Sequence, residues 1–267
     1  MIQKVNQMTS EVMSKLKKDY VYHLMLKKQR EDSRAFDEIR DISIETNIIG
    51  NAEGSAKIYW GDTQLVVGVK LQVGAPFPDT PDKGIIITSL ELNPIASPDF
   101  EAGPPKEDAI EIARVVDRGI RESGAIDLNK LCITEGEEVW TVFIDVDVLN
   151  DDGNIMDAAS IGAIAALMTT KVPAGREGYG EDMMMPVRDI PVSISLVDIS
   201  GELMVDPTYS EESVCDTKIT VVSNQDGSIS AMQKSGSGSL TEEKVLQAVN
   251  IARTKGSEIR EKYLSNI

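Results

Sequence analysis

Arg114, Arg118 and Arg121 are the side chains in this sequence best suited to holding an anion. A guanidinium presents a planar fork of donors that matches a phosphate, and residues three or four apart lie on one side of a helix. At about 100° of turn per residue, segment 107–123 places these three arginines on one side and Ile112, Val115, Val116, Gly119 and Ile120 on the other. Pro104 and Pro105 precede the segment, Asp108 serves its first turn and Gly124 closes it. Two readings are open. The arginines form a solvated face supported by i,i+4 pairs such as Asp117 with Arg121, or Arg114 and Arg118 each meet a nucleic-acid phosphate.

Other candidates are weaker. Asp145 and Asp147 alternate on an expected strand and share a face, with Asp151 and Asp152 close behind. Four carboxylates are a hard-oxygen set for Mg²⁺, but acidic strand ends in so anionic a chain are ordinarily solvated, and no metal is expected. The loop Ser235-Gly236-Ser237-Gly238-Ser239 has backbone of the kind that cradles phosphate. Its glycines equally suit a plain turn, with Ser239 and Glu242 as a capping box. The single histidine, His23, lies in a lysine-rich segment, which makes a Ser-His-Asp or Cys-His machine improbable. Cys132 and Cys215 have no metal or disulfide-framework spacing and are expected to be reduced and buried.

A chain of 267 residues with 41% hydrophobic content can bury a sizeable core, as one large domain or two fused smaller ones. A net charge of −17 repels polyanions, so any nucleic-acid contact must be local and reinforced by a partner. The longest apolar run, Ile161 to Met168, falls far short of the roughly 20 residues of a membrane span. The first twenty residues carry lysines throughout, unlike a signal peptide, and the expected address is the cytoplasm.

The elements that position these groups follow from periodicity. Residues 1–29 read as a helical lead-in packed on the body, with Val5, Val12, Leu16 and Tyr20 near helical spacing. From Ile42 the period is two: Ile42 and Ile44, Ser55 to Trp60, then Leu65, Val67, Val69, Leu71 and Val73. Gly54-Ser55 and Gly61-Asp62 mark tight connections. A strand at Ile85 to Leu92 leads to the arginine helix, another at Val139 to Leu149 to a turn at Asp151-Asp152-Gly153, and an apolar helix runs to about Thr170. Residues 173–189 lack periodicity and mark an internal boundary. The second half has strands at Ile190 to Leu196 and near 202–206, 214–223 and 229–233, then a helix striped by Val245, Val249, Ala252, Gly256, Ile259 and Tyr263. Strands grouped ahead of helices predict α+β layers, divided as 1–29, 30–180 and 181–267.

The order of Arg30-x-Asp32-x-Arg34, Gly54-Ser55-Ala56, Gly61-Asp62-Thr63, Gly103-Pro104-Pro105, Asp117-Arg118-x-x-Arg121 and Asp206-Pro207-Thr208 with Glu211-Glu212 resembles the RNase PH family. Within it the chain is most similar to the non-catalytic RNase PH-like subunits of archaeal exosomes, from about residue 28 to the C-terminus. Ser33 stands where relatives usually have glycine. The resemblance implies paired β-α units like the second domain of ribosomal protein S5. It implies a hetero-hexameric ring, a trimer of heterodimers, in which this subunit alternates with a catalytic RNase PH-like sister and carries cap RNA-binding proteins. Such a ring degrades single-stranded RNA from its 3′ end with inorganic phosphate.

The same resemblance implies that this subunit is silent. Active relatives hold phosphate with Gly-Thr/Ser-Arg before an apolar helix, and the matching positions here are Asn154, Ile155 and Met156. A thioether neither donates to phosphate nor neutralises it. The two aspartates that active relatives place six apart match Glu212 and Lys218, the second with reversed charge. No catalytic residue and no cofactor are expected, and Arg114, Arg118 and Arg121 are carried over as RNA contacts. The alternative is an active phosphorolytic homohexamer; a third reading is an acidic docking scaffold that leaves the arginines unexplained.

Overall fold

Along 64–71 every odd position is fully buried and every even one partly exposed, as a strand with one covered face requires. The computed structural model describes residues 18–267. Its strands are β1 (Ile42–Thr46), β2 (Gly54–Trp60), β3 (Thr63–Gly74), β4 (Ile85–Leu92), β5 (Cys132–Thr134), β6 (Glu138–Asn150), β7 (Lys171–Val172), β8 (Met183–Met184), β9 (Val192–Ile199), β10 (Glu202–Val205), β11 (Thr217–Ser223) and β12 (Ile229–Ser235). The helices are α1 (described over 18–26), α2 (Glu107–Glu122), α3 (Ile155–Met168), α4 (Ala174–Glu177), α5 (Tyr209–Val214) and α6 (Glu242–Ile259). The first sheet runs β1-β2-β3-β6-β4 with β5 also on β6, and the second β10-β9-β11-β12. All pairs are antiparallel except β4 with β6.

The helix α3 lies between the two sheets. Residues Ile155 to Leu167 are all buried, and a helix apolar all round has to be enclosed on every side. Gly162 meets Ile58, Leu65 and Val67 of the first sheet, while Asp157 and Ser160 bond Ser195 and Ser193 of β9. The other face of β9 meets α6, where Lys244 bonds Asp198. Covered on both faces, β9 is buried along its whole length. One contiguous apolar cluster joins both sheets through α3.

Several expectations need correction. Tyr20 is 52% exposed, and α1 instead buries Val21 and Met25 against Val197, Ile199, Met204 and Val214 of the second half. Val5, Val12 and Leu16 lie outside the described residues. Gly54 opens β2 instead of making a turn. A β-carbon there would lie 2.1 Å from Thr170 Oγ1 and 2.6 Å from the Ala166 carbonyl, so the bare backbone is what lets β2 pass the end of α3. The interval 173–189, read without periodicity, holds the single turn α4 and the second strand of a short β7–β8 ribbon, which leaves the boundary placed there unchanged. Residues 209–214 form α5, and β11 starts only at Thr217. The α6 cap is Thr241, which accepts from the Lys244 amide, and not Ser239; the capping box is Thr208 with Glu211 on α5. Cys132 and Cys215 are free but partly exposed, not buried.

Candidate nucleic-acid interface

The arginine helix owes its orientation to its apolar side. Ala109, Ala113, Val115, Val116, Gly119 and Ile120 are buried, and Glu107 and Asp108 sit in the first turn where the helix dipole favours acids. The helix closes in a Schellman arrangement: Gly124 donates to the Arg121 carbonyl at 3.1 Å and Ala125 to that of Ile120 at 3.2 Å. Arg114, Arg118 and Arg121 are all exposed. Arg114 and Arg118, one turn apart, engage no partner among the described residues. Arg121 differs. Its Nη2 and Nε meet the Asp117 carboxylate at 3.0 and 3.2 Å, and Nη2 also donates to the Ile86 carbonyl at 3.1 Å.

The N-terminal turns of α2 border a cavity of about 350 Å³, lined in part by Asp108, Glu111, Asp151, Met156, Glu212 and Lys218. Lys218 Nζ bonds Glu212 Oε1 at 2.9 Å, so the two positions that the family resemblance matched to paired aspartates are closed on each other as an ion pair. Burial opposes the Lys218 charge, but Glu212 and Asp157 more than compensate and raise its pKa. Met156 is 2% exposed and brings no donor to the wall. Glu111 accepts from Gln233 at 3.2 Å and closely from Ser235. Burial, then the charges of Glu212 and Asp152, pushes the Asp151 carboxyl up. Four carboxylates and one ammonium line the cavity wall.

The first turn of α3 also carries a buried carboxyl group. Asp157 is buried, its Oδ2 accepting from the Ser195 amide at 2.7 Å and its Oδ1 from Ser195 Oγ at 2.8 Å. Ser195 Oγ in turn bonds Thr220 Oγ1 at 2.8 Å. Burial pushes the Asp157 carboxyl up to about 7, against the hydrogen bonds from Ser195 and Asn154.

A buried ionic scaffold fixes these parts. Arg30 is 2% exposed and grips Glu211 at 2.9 and 2.6 Å while donating to the carbonyls of Val205 and Asp206. Arg34 and Arg40 both bond Asp206, and Arg40 also holds Asp152. Asp206 therefore has a lowered pKa, the arginines outweighing burial. It also accepts from Asn154 Nδ2 at 2.8 Å, tying the network to the start of α3. Ser33 sits at φ +64°, the left-handed region that favours glycine. The motif residues Arg30, Arg34, Asp206 and Glu211 thus shape the site without lining the cavity.

The four aspartates weighed as an Mg²⁺ set have different surroundings. Asp145 takes Ser89 Oγ at 2.6 Å, Asp147 takes Asn93 at 3.2 Å, Asp152 pairs with Arg40, and Asp151 faces the cavity. Among the described residues no cluster of His, Cys, Asp and Glu is arranged to hold a metal ion. His23 is exposed on α1. Arg40 and Asp157 were missed from the sequence. Arg40 lies in a segment without periodicity, while an acid inside an apolar helix, as Asp157 is, signals a buried polar network.

Residues 38–173 match domain 1 of the RNase PH 3′ exoribonuclease family and residues 189–255 match its domain 2. The chain belongs to the RNase PH family. A curated relative from Methanosarcina acetivorans, Exosome complex component Rrp42, is 59% identical over 258 residues, 97% of each chain. A solved structure of the Archaeoglobus fulgidus exosome with RNA bound to the active site aligns with a TM-score of 0.92 at 51% identity, covering 94% of this chain and 99% of that one. An archaeal exosome core aligns with a TM-score of 0.88 at 47% identity, covering 95% and 98%. The α+β architecture is thus the RNase PH-like fold, with α3 enclosed between its two sheets. Among the described residues no helix is long and apolar enough to cross a membrane.

Proposed function

We propose that this chain is a non-catalytic, RNA-binding and structural subunit of an archaeal exosome that acts in the cytoplasm. It alternates with a catalytic RNase PH-like sister in a hetero-hexameric ring, a trimer of heterodimers that carries cap RNA-binding proteins and degrades RNA 3′ to 5′ with phosphate. The observation that carries the RNA assignment is the pair Arg114 and Arg118: two exposed, unpartnered guanidiniums one turn apart in a chain of net charge −17. Arg121, shared with Asp117, is the weakest of the three contacts.

Silence rests on electrical character. Met156 and the closed Lys218–Glu212 pair leave an attacking phosphate no seat, which speaks against the homohexameric enzyme. The scaffold reading leaves Arg114 and Arg118 without a task.

In the reconstituted ring, Arg114→Ala with Arg118→Ala weakens RNA of every sequence alike. It flattens the slope of log K against log salt by about 0.7 per lost single-strand contact. An unchanged slope returns both residues to the solvated-face reading. The purified chain alone, given oligoadenylate and phosphate, releases no nucleoside diphosphate; release at the rate of the complete ring overturns the assignment of silence.

A further inference from the structure

A second cationic recess lies on the far side of the second sheet from the arginine helix. Between α6 and the β11–β12 turn is an open cleft of about 380 Å³ lined by Gln225, Asp226, Gly227, Asn250, Arg253, Thr254, Ser257 and Arg260. Gly227 lets Arg253 reach it, and Gly256 leaves room for Ser223, which holds Arg260. A β-carbon on Gly227, at φ +81°, would lie 2.9 Å from Arg253 Nη2, and one on Gly256 would lie 3.5 Å from Arg260 Nη2.

Neither arginine is hydrogen-bonded to a carboxylate, although the charges of Asp226 and Asp189 act on Arg253 and Arg260 respectively. Arg253 is exposed and bonds no described residue. Arg260 donates to the carbonyls of Ser223 at 2.8 Å and Ile190 at 3.3 Å and to Ser223 Oγ, with no carboxylate in bonding reach. The two nearby carboxylates are turned onto other donors. Asp226 accepts from the Ser228 amide at 2.8 Å, and Asp189 from the amides of Ile190 at 2.7 Å and Gln225 at 3.0 Å. Asn250, Thr254 and Ser257 add neutral polar groups along α6. Two guanidiniums against the single carboxylate of Asp226, with neutral polar groups between them, suit an oxyanion spaced along a polymer.

Strand β11 links this cleft to α2. Val222 packs on Gly119, where a β-carbon would lie 3.4 Å from Val222 Cγ1, while Ser223 holds Arg260 on the opposite face. Arg118, next to Gly119, and the cleft therefore flank the same hairpin end. We propose that the cleft is a second phosphodiester site, taking single-stranded RNA that passes Arg118 and rounds the 224–228 turn. This extends the reading of α2 as an RNA contact and depends on it.

The test uses the assembled ring and an oligoadenylate of about 16 nucleotides. Arg253 is exposed, so Arg253→Ala spares the fold, and Asn250→Asp places a repelling charge in the cleft without touching Arg260. Each is expected to weaken binding, with the salt slope falling by about 0.7 for Arg253→Ala. Wild-type affinity and slope in both variants overturn the inference, as does RNA-independent binding of polyglutamate that Arg253→Ala abolishes. The Arg114→Ala, Arg118→Ala ring is run alongside. A slope lost there but kept in Arg253→Ala rejects the cleft and leaves the α2 reading intact, whereas no loss there rejects the α2 reading itself.

Discussion

Replacing Asp157 by asparagine is expected to change how stability depends on pH. The Asp157 carboxyl is raised from 3.8 to about 7, mainly by burial. A folded-state pKa above the unfolded one contributes stability that is fully present below the unfolded value and is lost as pH rises through the folded value. Between about pH 4 and pH 7 the unfolded chain sheds this proton while the native chain keeps it. At about 1.4 kcal/mol per pH unit, the loss is on the order of 4 kcal/mol. Asparagine has no such proton and suits the site, its oxygen accepting from the Ser195 amide and its Nδ2 donating to Ser195 Oγ, which donates on to Thr220. The measurement is urea unfolding of both proteins across this range. Asp157→Asn should gain on the parent steadily up to about pH 7 and hold a constant lead above it. The depressed Asp206 acts in the other direction, losing stability as pH falls through its folded pKa, but that limb is common to both proteins and cancels in the difference. Parallel stability curves would refute the argument, because they would mean that Asp157 ionises as readily in the native protein as in the unfolded chain.

Two further perturbations test the scaffold. Glu211→Gln strands the fully buried Arg30 guanidinium and should cost about 3 to 5 kcal/mol in denaturant unfolding. Asp32→Asn, which loosens a more exposed pair with Arg34, should cost less than about 1 kcal/mol, and equal losses would show that Arg30 is hydrated. Gly54→Ala drives a methyl group to 2.1 Å from Thr170 Oγ1 and should cost about 1 to 3 kcal/mol in the same assay; a neutral result would mean that the end of α3 yields freely.

What the sequence discloses here depends on the range of the interaction. The alternation in β3 and the helical stripe of α2 reflect the solvent boundary of single elements, and both survive in the fold with Gly124 at the predicted close. The Thr208–Glu211 capping box is as local, but its acid is shared with the buried Arg30, which the spacing alone does not show. Arg30 was assigned no role because its partner lies 181 positions away. Tyr20 was placed in the packed stripe of α1, but the sheet that α1 meets selects Val21 and Met25, a choice no single-helix period contains.

The substitutions behind the silent reading follow the same rule. Sequence alone counts Glu212 and Lys218 as two absent aspartates, whereas the structure joins them at 2.9 Å and sets Asp151 and Asp157 within the same field. On the proposed silent reading, the two positions are therefore coupled. Lys218→Asp by itself would remove the cation that holds Glu212 and crowd the cavity with uncompensated carboxylates, which would raise one another's pKa and repel phosphate further. Met156→Arg by itself would deliver a guanidinium to Asp108 and Glu111 before any phosphate arrived. A phosphate seat requires both the added cation and the removal of the resident acids, so single reversions should leave the chain inactive.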